Sequence, residues 1–271
     1  RRARTRAEHD RLGELMRMST RARAGADYAA AIEALREALD ISVRSHGSTH
    51  VVTSLVMSNL ANMLYQAGQI GEAEQIQRRT LSIRQASLRG DHPLIASILS
   101  DLSATLEARM ALDEAESTAR QSLEMRLRMF GPTHRDTASS YNNLGVALKS
   151  QGRWNEALSM FLCANNTYVR TGARAWDAHS PSMNVVNTLY LLGRYAEAEQ
   201  LSRQIVQSAL ATYGPDHLTA AEAQSELALI LSESASQESE LNSQRRAQML
   251  QESEQLFGDA AALFRRRLGE T

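Results

Sequence analysis

At 271 residues the chain sits near the ceiling for one globular core, which favours a fold that grows lengthwise. Apolar residues make up 43% and aromatics only 5%, and the dominant Ala, Leu, Glu, Gln and Arg are helix formers, so a β-sandwich is excluded in favour of an all-α fold. A net charge of −1 argues against a dedicated nucleic-acid binder, no apolar run approaches the roughly 20 residues a membrane span needs, and the single Cys163 rules out an internal disulfide.

The first 46 residues read as a degenerate helix pair. Residues 5–23 form a helix, and 27–46 form a second one in which Ala26-Asp-Tyr28…Ala31 aligns with Gly68…Ala73 downstream. Arg1, Arg2, Arg4 and Arg6 cluster at the start, as Arg265-Arg-Arg267 does at the other end. Each cluster is either a solvated chain end or a contact to an acidic partner or RNA backbone. Neither contains an aromatic residue to stack bases, which disfavours RNA. The basic residues are 29 arginines and one lysine, Lys149. Coding bias explains scattered arginines; selection for carboxylate or phosphate forks is the alternative.

From residue 47 a period of 42 takes over. His50, His92 and His134 keep it, as do Glu72, Glu114, Glu156 and, one residue short, Glu197. Ala73, Ala115, Ala157 and Ala198 follow each glutamate. A period of this size means stacked units that bury their apolar faces against neighbours. Four clear repeats result, 47–89, 90–130, 131–171 and 172–213, and 214–271 is an atypical last repeat with extra residues near 232–242. The whole of 1–271 is thus one helical-repeat domain.

Within a repeat, helix A starts at a junction such as Gly131-Pro-Thr-His134 or Gly214-Pro-Asp-His217. Glycine closes the preceding helix and Asp, Thr or Ser is expected to cap the next. All four prolines, Pro93, Pro132, Pro181 and Pro215, are expected outside helix interiors. Helix B follows a second glycine, and its recurring alanine lets it lie close on helix A. An aromatic three residues earlier, Trp154 or Tyr195, is expected to fill the gap. The fourth repeat departs from the pattern at Arg174-Ala-Trp176, where Trp176 is either a packing plug or an exposed contact.

The Asn59-Leu-Ala61, Asn142-Asn-Leu-Gly145 and Gly193-Arg-Tyr-x-Glu-Ala-Glu199 segments resemble the tetratricopeptide repeat, in its 42-residue kinesin-light-chain-like form. The resemblance covers nearly the whole chain. It implies a right-handed superhelical solenoid of antiparallel helix pairs, a non-catalytic scaffold, and a concave face lined by the A helices. On matching positions that face carries Ser58, Asn59, Asn62, Tyr65, Ser97, Asp101, Glu107, Ser139, Asn142, Asn143, Val146, Lys149, Asn184, Asn187 and Tyr190. Asparagine costs helix propensity, so its recurrence asks for a cause. Its amide either trades hydrogen bonds with a partner peptide or ties neighbouring A helices together.

No catalytic residue and no cofactor is expected. The junction histidines are a repeat apart, too far to share a metal ion, and are expected to bridge a helix start to the previous turn. The paired glutamates complement helix dipoles, and Cys163, within Phe161-Leu-Cys-Ala164, reads as a small core residue. The function expected is a protein- or peptide-binding scaffold. The alternatives are a permanent structural subunit of a large, organellar assembly and, third, an RNA-binding helical repeat. An intracellular site fits one cysteine, and a chain that starts without Met reads as processed, trimmed or a fragment, which leaves an organelle open.

Overall fold

The computed structural model describes residues 2–171, 175–237 and 243–268. Among them are twelve α-helices and no strand: α1 (Arg2–Ala24), α2 (Tyr28–His46), α3 (Val51–Gln66), α4 (Ile70–Ser87), α5 (Pro93–Ala108), α6 (Leu112–Phe130), α7 (Arg135–Ser150), α8 (Trp154–Arg170), α9 (Ala175–Leu191), α10 (Tyr195–Tyr213), α11 (Leu218–Gln237) and α12 (Ser243–Leu268). Within α1–α6 and within α7–α12 each helix packs on the next in sequence. The helices gather into two compact units, 1–131 with α1–α6 and 132–271 with α7–α12.

The repeating alanines have the role their spacing suggests. Ala73, Ala115, Ala157 and Ala198 are all 0% exposed, at the crossing of helix B with helix A. A second set of positions compensates in size. Gly145 on α7 faces Phe161 on α8, and a Cβ on Gly145 would lie 2.6 Å from the ring. One period earlier the same two places hold Ser103 and Ala119, and two periods earlier Ala61 and Gln77, all buried. The larger side chain on helix B is thus admitted by the smallest residue on helix A.

The junctions end and start helices by a device the sequence reading assigned to other residues. Gly131 and Gly214 close α6 and α10 at φ 78° and 83°, in the left-handed region glycine favours. The caps of the following helices, however, are the histidines and not Asp, Thr or Ser. The backbone N–H groups of Val52, Leu94, Asp136 and Thr219 donate to Nδ1 of His50, His92, His134 and His217 at 3.1–3.2 Å. A neutral imidazole presents an acceptor two bonds from Cβ, as an asparagine cap does, and so satisfies an orphan N–H. Two of the rings stack on an aromatic residue four positions back: His46 on His50 at 5.4 Å and Tyr213 on His217 at 4.8 Å.

Two further expectations need correction. Pro181 lies inside α9 and not in a junction, because α9 begins at Ala175. Cys163 is exposed: a helical turn puts Phe161 and Ala164 inward and leaves Leu162 and Cys163 outward. Trp154, at the start of α8, is 37% exposed. The extra residues of the last repeat begin as helix, since α11 runs on to Gln237. Residues 238–242 and the side chains of Arg1, Arg2, Arg4, Arg6, Trp176 and Arg267 lie outside the described residues, as does Arg174.

Candidate functional site

The A helices α3 and α5 carry the expected residues of the first unit. Ser58, Asn62, Tyr65 and Asp101 are half-buried and Asn59 is exposed. A cleft of about 120 Å³ opens between α1, α2 and α3, with Asn59, Asn62 and Arg23 at its rim and Leu35 and Met63 as its apolar floor. Asn62 donates a hydrogen bond to Asp101 on the neighbouring A helix. That bond spends its amide on the stack. Asn59 makes no side-chain hydrogen bond among the described residues.

Beneath Asp101 lie two arginines that the sequence reading passed over, Arg84 on α4 and Arg126 on α6, 2% and 8% exposed. They are one period apart, and that spacing is the signal the sequence carries for them. Arg84 donates from Nε to Ser54 Oγ (3.2 Å), from Nη1 to the Leu94 carbonyl (2.7 Å), and from Nη2 to Ser58 Oγ (2.7 Å) and the Ser54 carbonyl (3.2 Å). Its guanidinium so joins α4 to α3 and α5. Arg126 donates to Ser100 Oγ at 3.3 Å. Burial pushes the Asp101 carboxyl up to about 6, against the pull of Arg84, Arg126 and the Asn62 hydrogen bond. Asn59 and Asn143 occupy the same place one period away, so Asp101 is an acid set where its neighbours have amides, beside two buried cations.

The second unit places Asn142, Asn143 and Lys149 on α7 and Asn184, Asn187 and Tyr190 on α9, all half-buried. Asn184 Nδ2 donates to Asn142 Oδ1 at 2.9 Å, so this pair, like Asn62 and Asp101, links adjacent A helices. Asn143 and Asn187 make no side-chain hydrogen bond among the described residues. The Tyr190 ring meets Tyr195 edge to face at 5.7 Å. The Tyr190 hydroxyl is raised chiefly by the charge of Glu233, then by burial. Glu226, also on α11, is raised by burial and held back by Lys149. The asparagines thus divide: Asn62, Asn142 and Asn184 hold the stack, while Asn59, Asn143 and Asn187 keep unspent amides.

The B helices account for many of the arginines. Arg36 forks Glu72 (2.8 and 2.9 Å) and Arg78 forks Glu114 (2.7 and 2.7 Å), each joining neighbouring repeats, and Arg128 forks Asp91 (2.7 and 2.9 Å) within one repeat. Arg36 and Arg78 are one period apart, as are Glu72 and Glu114, so the fork itself repeats. Exposed pairs of this kind contribute little singly, about 0–1 kcal/mol, but they fix register between repeats. Among the described residues no three His, Cys, Asp or Glu side chains gather as a metal site, and no helix is long and apolar enough to cross a membrane.

Family models for the tetratricopeptide repeat match residues 22–86, 53–128, 94–164 and 183–219. The chain belongs to the tetratricopeptide repeat family. Solved structures agree on the fold. A kinesin light chain protein of nearly identical tetratricopeptide-like repeats from Podosopora anserina superimposes with a TM-score of 0.65 at 20% identity, over 80% of this chain and 98% of that one. BtubC (BKLC) from P. vanneervenii gives 0.68 at 15% identity, over 97% and 93%. A Rap protein complexed with competence and sporulation factor gives 0.66 at 15% identity, over 93% and 69%. No curated protein matches the chain in sequence. The tetratricopeptide architecture is kinesin-light-chain-like, and folds of this family serve protein–protein interaction, in general without catalysis.

Proposed function

We propose that this tetratricopeptide chain is a non-catalytic scaffold that binds a protein partner through the A-helix faces within its units. The observation that carries the reading is the division of the asparagines. An amide on a helix face costs propensity, and where it is not spent on the stack a partner backbone is the group it matches, as both donor and acceptor. Asn59, Asn143 and Asn187 are of this kind, and Tyr65 and Tyr190 beside them supply apolar area with a polar tip. The similar Rap protein is, by its description, complexed with competence and sporulation factor, a precedent for ligand binding on this fold. The test is amide hydrogen exchange on the chain with and without a partner captured from cell extract. Protection concentrated in α3, α5, α7 and α9 supports the reading; protection confined to the B helices refutes it.

A permanent structural subunit is the second reading. It is favoured by the outward apolar side chains of α8, where Trp154, Leu162 and Val169 are 37%, 41% and 68% exposed. Protection of α8 instead of the A helices would select it.

A further inference from the structure

The B helices carry a charged row that α8 lacks. Arg36, Arg78, Arg120 and Arg203 each stand five residues after the buried alanine of their helix. On α4, α6 and α10 that arginine pairs with a glutamate one turn back: Arg78 with Glu74 at 2.8 Å, Arg120 with Glu116, and Arg203 with Glu199 at 3.1 Å. Arg78 and Arg203 also reach a carboxylate of the next helix B, Glu114 and Glu252. On α8 the same two places hold Leu158 and Leu162. Leu162 offers Glu197 of the next helix B no cation, and Glu197 is forked instead by Arg194 of its own first turn, at 2.7 and 2.7 Å. The exchange of an ion pair for two leucines leaves an apolar cleft of about 230 Å³ between α8, α9 and α10. The buried Leu158, Val185 and Leu189 form its floor, and Leu162, 41% exposed, and the half-buried Leu201 form its walls.

We infer that this cleft receives a leucine or similar aliphatic side chain from an amphipathic helix of a protein partner. Charge selects the occupant. The two charges that line the cleft, Arg194 and Glu197, are spent on each other, and the exposed Gln200 and Gln204 beside them are neutral. A charged side chain would lose its water there without gaining a counter-charge, whereas an aliphatic one loses nothing. Size points the same way, since the volume lies below the about 300–1,000 Å³ of small-molecule pockets. Trp154 and Val169 extend the outward apolar line of Leu162 along α8, over about 22 Å at about 1.5 Å per residue. A second helix matches such a line with side chains three and four residues apart. The three outward side chains offer well under about 400 Å², taking about 250 Å² for a large aromatic in full, against about 800 Å² per partner in a stable dimer. The face is therefore the size of one helix and not of a second copy of the chain. The site lies apart from the A-helix asparagines and does not depend on them. It shares the α8 side chains with the subunit reading but does not require a permanent complex.

The test titrates the full chain, labelled at leucine and valine methyls, with a capped helical peptide that carries one row of leucines on an otherwise polar surface. The same peptide with asparagine in place of each leucine, similar in size but polar, is the control. The leucine peptide is expected to move the methyl signals of Leu162, Val185, Leu189 and Leu201 saturably, and the asparagine peptide to bind at least about tenfold more weakly. Leu162→Arg writes the arginine of the neighbouring repeats into α8, where it can reach Glu197 as Arg78 reaches Glu114. It should weaken the leucine peptide by a similar factor without an earlier melt, because Leu162 is exposed. Gln204→Glu, a change at an exposed rim residue, should weaken it less, and decides the matter should Leu162→Arg fold poorly. Shifts absent from the cleft or spread evenly over the chain, equal response to both peptides, or full binding by both variants overturns the proposal, whether or not a captured partner protects α8. Sedimentation that shows a dimer, lost in Leu162→Arg, would overturn it in favour of a second copy.

Discussion

Gly145→Ala is expected to destabilise the chain although alanine is the better helix former. Gly145 lies inside α7, and an added Cβ would meet Phe161 Cε1 at 2.6 Å, Cδ1 at 2.7 Å and Cζ at 3.0 Å. The ring cannot retreat, because Phe161 is 0% exposed. Overpacking of this kind costs about 1–3 kcal/mol, and a clash with three atoms of a rigid ring belongs at the upper end. Helix propensity returns about 1 kcal/mol. The net is a loss of about 1–2 kcal/mol, or roughly 2–8 °C in melting temperature for a unit of this size. Gly258→Ala is the control: it lies inside α12, nothing stands within 4 Å of its Cβ, and so it should gain the propensity term alone. Urea unfolding followed by circular dichroism reads both. Phe161→Leu should relieve Gly145→Ala in the double variant, giving a coupling that the single changes do not. If Gly145→Ala stabilises as Gly258→Ala does, the account of the helix crossing is wrong.

Three other changes follow from the same geometry. His92→Ala should cost about 0.5–2 kcal/mol through loss of the cap on α5, and His92→Asn should restore most of it; equal unfolding midpoints for the two would refute the capping role. Met110→Gly should raise stability by about 0.5–1 kcal/mol, because Met110 holds φ 61° where other repeats have glycine and its side chain is 72% exposed, with little packing to lose; an earlier melt counts against this. Asp101 gives a pH dependence. Its carboxyl is raised in the folded chain to about 6 from an ordinary value of 3.8, so the stability gained on its protonation is fully present below about pH 4 and is lost as pH rises through about 6. Asp101→Asn should remove about 1–3 kcal/mol of that slope, and stability measured between pH 4 and 7 with the same slope in both proteins would contradict it.

The architecture was legible because a stack repeats its contacts. Every unit must bury the same alanine and break at the same glycine, so Ala157 and Gly131 announce themselves by period alone. What failed to show depends on direction and not on spacing. Cys163 sits in an apolar run, yet one residue of helical rotation carries it outward while Phe161 turns in. Arg84 and Arg126 look like solvated helix-B arginines until their donors are seen to end on Ser54, Leu94 and Ser100. The histidines were legible as junction markers but not as caps, since residue statistics favour Asp, Thr and Ser although Nδ1 accepts equally well. For the candidate site, residue type placed all the asparagines on one set of helices. Only rotamers divide those bonded across the stack from those left free.

That division is the most direct test of the central claim. Asn143→Ala with Asn187→Ala should weaken partner binding by about 1–3 kcal/mol with an unchanged melting curve, because these amides are spare until a partner arrives. Asn142→Ala with Asn184→Ala should lower the melting temperature, through loss of the 2.9 Å bond between α7 and α9. Normal binding by the first pair, or an early melt from it as from the second, would contradict an A-helix face built to receive a partner.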